Sequence, residues 1–247
     1  MYRFFIPSEC IADAQVTLGG SVAHRVRDVL HLGPGDHILV LDNSGWAWEV
    51  TLQEVGPEQV VGEVVRRTLA QGEPRTKITL YQGMLEDRRF ESVLRIGTEL
   101  GIVEFVPLLS DRAIIADLKA VNSKRGRWQR IMREAAERAQ RGQLPSLEPA
   151  MLFPQACERA QQQGGLALIP WKGEHSLSLR SVLTGQEKSP FIISLFVGPE
   201  GGFTAEEAEL AQYYGIQPVT LGPRILRAET AGLIAAAAIL YELGDLE

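Results

Sequence analysis

The chain has few of the residues that hold metal ions or form disulfides. Its 247 residues include two cysteines, Cys10 and Cys157, and four histidines. The cysteines lie far apart without a CxxC spacing, and the histidines form no metal-ligand pattern such as HExxH. These shortages argue against a disulfide framework, a dithiol redox site and a metal centre, and we expect no metal.

The chain also lacks long hydrophobic runs. The longest run near the N-terminus, Phe4 to Ile6, is far too short for the core of a signal peptide, and no stretch approaches a membrane span. Hydrophobic residues make up 45% of the sequence and charged residues 23%, as in an ordinary soluble globular protein. We therefore expect a cytoplasmic protein with no membrane partner.

Positive charge is not in excess. There are 25 basic and 31 acidic side chains, so the formal net charge is -6. Binding of a nucleic acid would therefore depend on a local cluster. One cluster runs from Lys124 to Arg141, with seven basic residues against two acidic ones. It is either a solvated helix face or a surface for phosphate, with Trp128 as a flat side chain nearby.

Several common motifs are missing. The segment QGMLEDRR stands where a dinucleotide-binding domain would carry GxGxxG after its first strand. The chain also contains no Walker GxxxxGK[ST], no GxSxG and no carboxylate pair at an obvious catalytic spacing. A dinucleotide-binding fold is therefore disfavoured.

Residues 1–70 consist of short β-rich pieces, which predict a small β-barrel. The turn DNSG, from Asp42 to Gly45, joins two of these strands as a hairpin. One short helix interrupts them, with Ser21 as its predicted N-cap. Residues 71–76 are polar and contain Gly and Pro, which favours a linker.

From residue 77 to residue 247, strands alternate with helices. This pattern predicts parallel pairing and a layered α/β domain. Gly101 is placed to end the first helix in the left-handed conformation, and Thr204 with Glu207 forms a predicted capping box. The last helix, from about Glu229 to Leu243, contains Ala235 to Ala238, which would allow another helix to approach closely, within the domain or from a partner.

Two glycine-rich loops in the last quarter are the most informative segments. They read LFVGPEGGF from Leu195 to Phe203 and LGPRILRAETA from Leu221 to Ala231. Each follows an apolar strand and precedes a helix. In open α/β sheets, ligands bind at the carboxyl ends of strands, where glycine lets the backbone approach a flat ring or a phosphate. The loops therefore predict a cofactor site, and the alternative is that their glycines only make tight turns.

These two signatures resemble those of the SPOUT-class RNA methyltransferases, specifically the family that methylates N3 of a uridine in bacterial 16S ribosomal RNA. The resemblance extends upstream through TELGI, the RW pair Arg127 and Trp128, EAAE, Arg141 and Pro145, and it includes RVRDVLHLGPGDHILVLDNSG from Arg25 to Gly45. It implies an N-terminal PUA-like β-barrel over residues 1–70 and a SPOUT-type α/β domain over residues 77–247, with a parallel sheet and a C-terminal trefoil knot. It also implies a homodimer that pairs through its last helices.

The resemblance implies S-adenosylmethionine as the cofactor and 16S rRNA or the small ribosomal subunit as the partner. The cofactor-binding residues that it assigns lie in both loops: Leu195, Val197, Gly198, Pro199, Glu200, Gly201, Leu221, Gly222, Ile225, Leu226, Arg227, Thr230 and Ala231. The expected RNA-binding residues are Arg25, Lys124, Arg125, Arg127 and Arg138.

Methylation of uridine N3 requires loss of the ring proton, so a base or an anion-stabilising group should lie within hydrogen-bond reach. The predicted catalytic residues are Arg141, Arg227 and Glu229. Each has a structural rival. Glu229 would interact with the positive end of the last helix, Arg227 would form an ion pair with Glu229, and Arg141 would contact phosphate.

The chain departs from the family pattern on the RNA side. Arg95 and Ile96 stand where relatives usually carry Gln-Lys, and the segment from Glu137 to Arg141 replaces EQSGR. Two alternatives therefore stay open. Beside the implied S-adenosylmethionine-dependent methylation of uridine N3 in 16S rRNA, these are a non-catalytic rRNA-binding relative and a SPOUT methyltransferase that acts on another RNA nucleotide or on ribose 2'-OH.

Overall fold

The computed structural model describes residues 1–113 and 117–246. The chain forms two compact units. The first unit contains residues 1–73 and 136–144, and the second contains the rest of the described chain. The two units together make a mixed α/β fold with one mixed sheet and one parallel sheet. The α/β class and the parallel sheet are as the sequence predicts.

The first unit is built on a six-stranded mixed sheet. Its strands are β1 (Tyr2–Phe5), β2 (Ile11–Ala12), β3 (Gln15–Gly19), β4 (His37–Leu41), β5 (Trp46–Val55) and β6 (Gln59–Leu69). They lie in the order β1-β4-β5-β6-β3-β2, with β1 and β4 parallel and every other pair antiparallel. Alternate residues point to one core, as Ile38 and Val40 of β4 do.

Short helical pieces connect these strands. A 3-10 turn spans Ser8–Cys10, and helix α1 (Gly20–His24) continues into a π-helical turn at Arg25–Val29. The N-cap of α1 is Gly19 and carries no side-chain hydrogen bond, so the prediction of Ser21 is wrong. Gly20 already begins the helix with a positive φ of 57°, a conformation that suits glycine and starts the helix before Ser21.

Residues 136–144 belong to the first unit although the sequence pattern assigns them to the second. Ala136 and Leu144 pack with Phe5, Leu41 and Ala47 of the strands. Glu137 accepts a hydrogen bond from the Phe5 backbone at 3.1 Å, and Asn43 accepts one from the Leu144 backbone at 2.6 Å. The segment therefore completes a hydrophobic cluster of the first unit.

The second unit contains a parallel sheet. Its strands are β7 (Lys77–Gly83), β8 (Glu104–Leu109), β9 (Ser146–Leu147), β10 (Met151–Leu152), β11 (Leu166–Pro170), β12 (Ile192–Val197) and β13 (Gln217–Val219). The order is β10-β8-β7-β12-β11-β13, with β9 also paired to β8. All of these pairs are parallel.

Helices pack on both faces of this sheet. They are α2 (Asp87–Leu100), α3 (Leu118–Asn122), α4 (Arg125–Arg138), α5 (Phe153–Gln163), α6 (Leu179–Thr184), α7 (Ala205–Tyr213) and α8 (Ala228–Glu242). The last turn of α4 belongs to the first unit. The predicted capping box is confirmed, because Thr204 and Glu207 exchange side-chain and backbone hydrogen bonds. Gly101 ends α2 with a φ of 108°, as expected.

The described residues also bear on metal and membrane binding. Within them, no group of three or more His, Cys, Asp or Glu side chains could hold a metal ion. No helix in that part of the chain is both long and apolar enough to cross a membrane. Burial raises the pKa of the Cys157 thiol to about 12, so this cysteine stays protonated and behaves as a small core residue.

Candidate functional site

The two glycine-rich loops lie at one edge of the parallel sheet. The first follows β12 and the second follows β13, and both strands flank β11. Because parallel strands all end at the same edge, the carboxyl end of β7, next to β12, lies there too. The loop after β11 joins this edge through hydrogen bonds between Leu177, Leu179 and the backbone of Thr220.

The first loop is pressed against the end of β7. A Cβ atom on Gly83 would lie 2.4 Å from the Pro199 nitrogen, far inside contact distance. A Cβ on Gly198 would lie 3.0 Å from Gly202, which has a φ of +66° and donates a hydrogen bond to Pro199 at 2.8 Å. Glycine is therefore required here for close packing of the backbone as well as for the turn.

Side chains of neighbouring elements hold the first loop in place. Arg112 donates a hydrogen bond to the Gly201 carbonyl at 3.0 Å, and its own Cβ lies 2.9 Å from the position that a Cβ on Gly201 would take. Glu200 lies 3.5 Å from the Arg89 guanidinium at the start of α2. Leu195 and Val197 are buried in the core, so they form the floor beneath this loop.

The second loop is far more exposed. Gly222 has a φ of +100° with open space around it, and Ile225 is 97% exposed. Leu221 is half-buried against the core, and Leu226 is also half-buried. The loop therefore presents an apolar side chain to its surroundings, where it is available to a ligand or to a partner chain.

The second loop ends at the first turn of α8. Two charged residues that the sequence predicts to be catalytic, Arg227 and Glu229, lie close together there. The Arg227 side chain is 80% exposed, and its Nη1 lies 3.8 Å from Oε1 of Glu229. The Glu229 side chain is only 17% exposed, and its Oε2 is buried with no hydrogen-bond partner among the described residues. The sequence suggests an ion pair between these two residues as the alternative to a catalytic role. The structure contains this pair as a long contact. It uses one carboxylate oxygen and leaves the other without a donor.

Gln82 is a polar residue of this edge that the sequence analysis missed. It is 1% exposed and stands at the end of β7. Its Nε2 donates to the Gly83 carbonyl at 3.2 Å, whereas its Oε1 is buried and has no partner in the part of the chain that the structure describes. A Cβ on Gly232 of α8 would lie 3.4 Å from that Oε1. The signal in the sequence is one amide next to the glycine that ends the strand KITLYQG.

Gln82 and Glu229 thus give this edge two buried oxygen acceptors that receive no hydrogen bond from residues 1–113 or 117–246. Glu229 and Gly232 are three residues apart on α8, so they lie on the same face of the helix, and Gly232 adjoins Gln82. Buried polar atoms are nearly always hydrogen-bonded in folded proteins. The pair therefore marks a place suited to a ligand with hydrogen-bond donors.

Many of the predicted RNA-binding cations are already paired. Lys124 bonds to Asp87, Arg127 lies 2.8 Å from Glu91, and Arg25 lies 2.5 Å from Glu137. Arg125 donates to the Leu147 carbonyl at 2.7 Å. Carboxylates of other segments therefore offset part of the local excess of positive charge in the sequence.

Three arginines of α4 differ from these. Arg130, Arg133 and Arg138 are exposed, and within the described residues they have no carboxylate within 4.0 Å. Trp128, by contrast, is fully buried, with its ring 4.6 Å from Phe90. The prediction of Trp128 as a flat surface for RNA is therefore wrong, because its apolar ring packs in the core of the second unit.

Arg141, predicted to be catalytic, is 2% exposed in the first unit. Its Nε and Nη2 lie 2.9 and 2.6 Å from the two oxygens of Glu73. Glu73 also accepts from the Gly142 and Gln143 backbones. This bidentate pair ties residues 136–144 to Glu73, in the segment that follows β6, and a buried guanidinium held in this way has little surface for a uracil.

Comparison with known proteins places these features in a family. A family model described as an RNA methyltransferase domain matches residues 72–240. Ribosomal RNA small subunit methyltransferase E of Synechocystis sp. is 37% identical over 238 residues, which cover 96% of this chain and 77% of the relative. The protein of the same name from Bacillus subtilis is 31% identical, with 98% of this chain and 97% of the relative covered.

Solved structures agree with the sequence relatives. The crystal structure of a ribosomal RNA small subunit methyltransferase E from Neisseria gonorrhoeae, bound to S-adenosyl methionine, is similar with a TM-score of 0.86 at 28% identity, covering 98% of each chain. A methyltransferase from Legionella pneumophila with the bound cofactor SAM also gives a TM-score of 0.86, at 26% identity over 98% of this chain and 97% of that one. From the likeness in sequence over nearly its whole length, the chain belongs to the ribosomal RNA small subunit methyltransferase E family of RNA methyltransferases.

Proposed function

We propose that this chain transfers the methyl group of S-adenosylmethionine to N3 of a uridine in the 16S rRNA of the small ribosomal subunit. The observation that carries the proposal is the pair of glycine-rich loops at the carboxyl edge of a parallel sheet. The chain that holds them resembles rRNA methyltransferases over 96% of its length. A solved relative of the same fold is bound to S-adenosyl methionine.

The residues of the edge fit this cofactor. S-adenosylmethionine carries an ammonium group, ribose hydroxyls and an adenine amine, all of which donate hydrogen bonds. Gln82 Oε1 and Glu229 Oε2 are buried acceptors that need such donors. The apolar side chains of the second loop suit the adenine. We therefore propose that the residues named from the resemblance line the pocket, with Leu195 and Val197 as its floor and Gln82 added.

The bound cofactor supplies an electrophilic methyl group, so the chain has to position the uridine and favour the loss of its N3 proton. The exposed Arg227 is suited to the uracil side, where a guanidinium stabilises the charge that develops on the ring oxygens as N3 loses its proton. Glu229 is suited to the cofactor side because its free oxygen is buried. Its place in the first turn of α8 also lets the helix dipole favour its charge.

For Arg141 we propose a structural role in place of catalysis. Its burial and its bidentate bond to Glu73 are the geometry of a buried ion pair that holds two segments together.

RNA contact is proposed for the first unit and for the exposed arginines of α4, with 16S rRNA or the assembled small subunit as partner. The finer assignments of the fold are part of the same proposal. They are a PUA-like barrel over residues 1–70, a linker over 71–76, and a SPOUT domain over 77–247 with a trefoil knot, apart from residues 136–144, which lie in the first unit. A cytoplasmic location accords with a ribosomal substrate.

We also propose a homodimer through α8. The helix buries Ala235 and Ala236 in its own unit. Its other face exposes Ile234, Ala238 and Tyr241, with Ile234 48% and Tyr241 68% exposed. These residues recur at i, i+4 and i+7, so they form one apolar stripe on the helix. An exposed stripe of this kind suits a second copy of the helix.

Nucleoside analysis of rRNA tests the proposed reaction. A bacterial strain that lacks this gene should contain no 3-methyluridine in its 16S rRNA, and the parent chain should restore it. A Gly222→Val variant, which puts a β-branched residue at a positive φ, should fail to restore it. An unchanged nucleoside profile would favour a non-catalytic rRNA-binding protein. Loss of a different methylated nucleotide, or of a 2'-O-methyl group, would favour another substrate.

A further inference from the structure

The first unit carries an exposed aromatic surface that the proposed chemistry does not use. Trp46 and Trp48 stand two residues apart on β5, so their side chains lie on the same face of the sheet. Their partners on β6 are Leu69 and Arg67. We call these four residues the tryptophan patch.

The arginine of the patch stacks on both indole rings. The Arg67 guanidinium carbon lies 4.0 Å from the centre of the Trp46 ring and 5.7 Å from that of Trp48. Both distances are within the range of cation–π attraction. Trp48 is partly anchored against the core of the unit, whereas Trp46 belongs to no core cluster. The stack is therefore held in place at Trp48 and accessible from outside at Trp46.

The side chains of the tryptophan patch are exposed to solvent in part or in large part, although three of the four are apolar. Leu69 is 66% exposed, Arg67 is exposed, and both tryptophans are partly exposed. Among the described residues Arg67 has no carboxylate within 4.0 Å, in contrast to Arg25 and Arg127. Arg66, the next residue, is also exposed. A flat apolar surface with unpaired positive charge is complementary to a nucleotide, which combines a flat base with an anionic phosphate.

We propose that the tryptophan patch is a stacking site for an unpaired base of the RNA substrate. The base lies on the outer face of the Arg67 guanidinium or on the exposed part of the Trp46 ring, and the free guanidinium nitrogens reach the adjacent phosphate. Proteins commonly recognise single-stranded RNA by stacking bases on aromatic rings and on arginine planes. The site rests on the proposed function, since it describes how the same substrate is held.

The rival explanation is that Arg67 merely covers the indoles with its aliphatic stem. The two explanations differ in what they require of the guanidinium. A covering role needs only a long stem, which lysine also has. A stacking role needs a planar group, which lysine lacks.

The test uses the full chain and a fluorescein-labelled single-stranded RNA of twelve nucleotides with mixed sequence, followed by anisotropy. Trp46→Ala should weaken binding roughly tenfold, since it removes the ring on which a base stacks. Trp46→Phe, which keeps a ring, should restore most of the affinity. Arg67→Lys should weaken binding severalfold, whereas Arg66→Lys, the matched change at the neighbouring position, should leave it near the parent value. Thermal melts of all four variants establish that each is folded.

The proposal is overturned if folded Trp46→Ala and Arg67→Lys bind the RNA as the parent does. It is also overturned if these variants bind naked RNA normally but lose affinity for purified small subunits, because the patch would then contact a ribosomal protein. Parallel methylation assays separate this proposal from the proposed function. A parent chain that binds RNA through Trp46 but methylates none disproves the function alone. A Trp46→Ala chain that methylates with an unchanged KM for RNA disproves the patch alone.

Discussion

At the scale of single residues, the proposed cofactor site depends on how closely the backbone of β7 approaches the backbone of the first glycine-rich loop. Gly83 and Pro199 are so near that no side chain fits between β7 and the first loop. Gly83 lies outside both of the glycine-rich signatures, and its importance follows only from the parallel pairing of β7 with β12. A glycine requirement of this kind arises between segments that are distant in sequence.

Gly83→Ala should therefore disturb the cofactor loop. The added methyl group would displace the loop or strain the strand, at a cost of about 1–3 kcal/mol in stability, and calorimetry should show weaker binding of S-adenosylmethionine. Gly126→Ala is the matched control, because a Cβ there meets nothing within 4 Å and lies in helix α4. It should be neutral or stabilising by up to about 1 kcal/mol. Equal cofactor affinity in both variants would contradict the packing argument.

The two unpaired acceptors give a second prediction at this scale. Gln82→Met keeps the size of the side chain but removes the acceptor, and Glu229→Gln removes the charge. Each should weaken S-adenosylmethionine binding about tenfold or more, the usual loss for a hydrogen bond to a charged group. Gln163→Met serves as control, because that amide bonds to Tyr81 instead. Unchanged dissociation constants in both site variants would remove these residues from the pocket.

Arg141 provides a third prediction, on stability. Arg141→Ala would leave the Glu73 carboxylate in a partly buried place without its cation, which should lower the free energy of unfolding by about 3–5 kcal/mol. Denaturant melts measure this loss. In the fraction that stays folded, turnover at saturating RNA should remain at the parent level. A variant with normal stability but low turnover would restore Arg141 to the catalytic residues.

At the scale of elements, helix α4 shows what a charge count along the sequence leaves out. The run from Lys124 to Arg141 has an excess of positive charge, but carboxylates from distant segments neutralise several of its members. Asp87 and Glu91, both on α2, provide two of these partners. The sequence could not reveal the pairing because it depends on how helices pack.

The exposed arginines of α4 should therefore dominate the salt dependence of RNA binding. Replacing Arg130 and Arg133 together by alanine should reduce the slope of log affinity against log salt by about 1.5, given roughly 0.7–0.9 per phosphate contact. Replacing the ion-paired Lys124 and Arg127 is the matched control, and it should change the slope less while lowering thermal stability. The interpretation fails if the two double variants change the slope equally.

The elements themselves follow well from the sequence. Apolar runs rich in β-branched residues predict the strands, and the Thr204 capping box and Gly101 mark helix ends correctly. The two-residue strands β9 and β10 were not predicted, because so short a segment has no period to detect. Gln82 and the burial of Trp128 were missed for a related reason. The sequence pattern shows which face of a helix or strand is apolar. It does not show which side chains from distant segments pack against that face.

At the scale of the whole molecule, the apolar stripe on α8 bears on the assembly. Ile234→Lys together with Tyr241→Lys would place positive charges on that stripe, and in a dimer joined through α8 these charges would face each other. We expect light scattering to report a dimer for the parent and a monomer for this variant. Tyr213→Lys, at an 80% exposed tyrosine on α7, should stay dimeric. A parent that is monomeric at micromolar concentration would contradict the proposed homodimer.

The insertion of residues 136–144 into the first unit has a consequence for synthesis of the chain. The strands of that unit are complete by residue 69, but the segment that covers Phe5 and Leu41 follows only after 62 intervening residues, 74 to 135. At typical translation speeds a bacterial ribosome needs roughly 4 to 14 s to advance from residue 73 to residue 144. During that interval the nascent chain carries an uncovered apolar face and an unpaired Glu73. A chaperone at the tunnel exit would find its binding surface there, and would have to leave before Arg141 could close the unit.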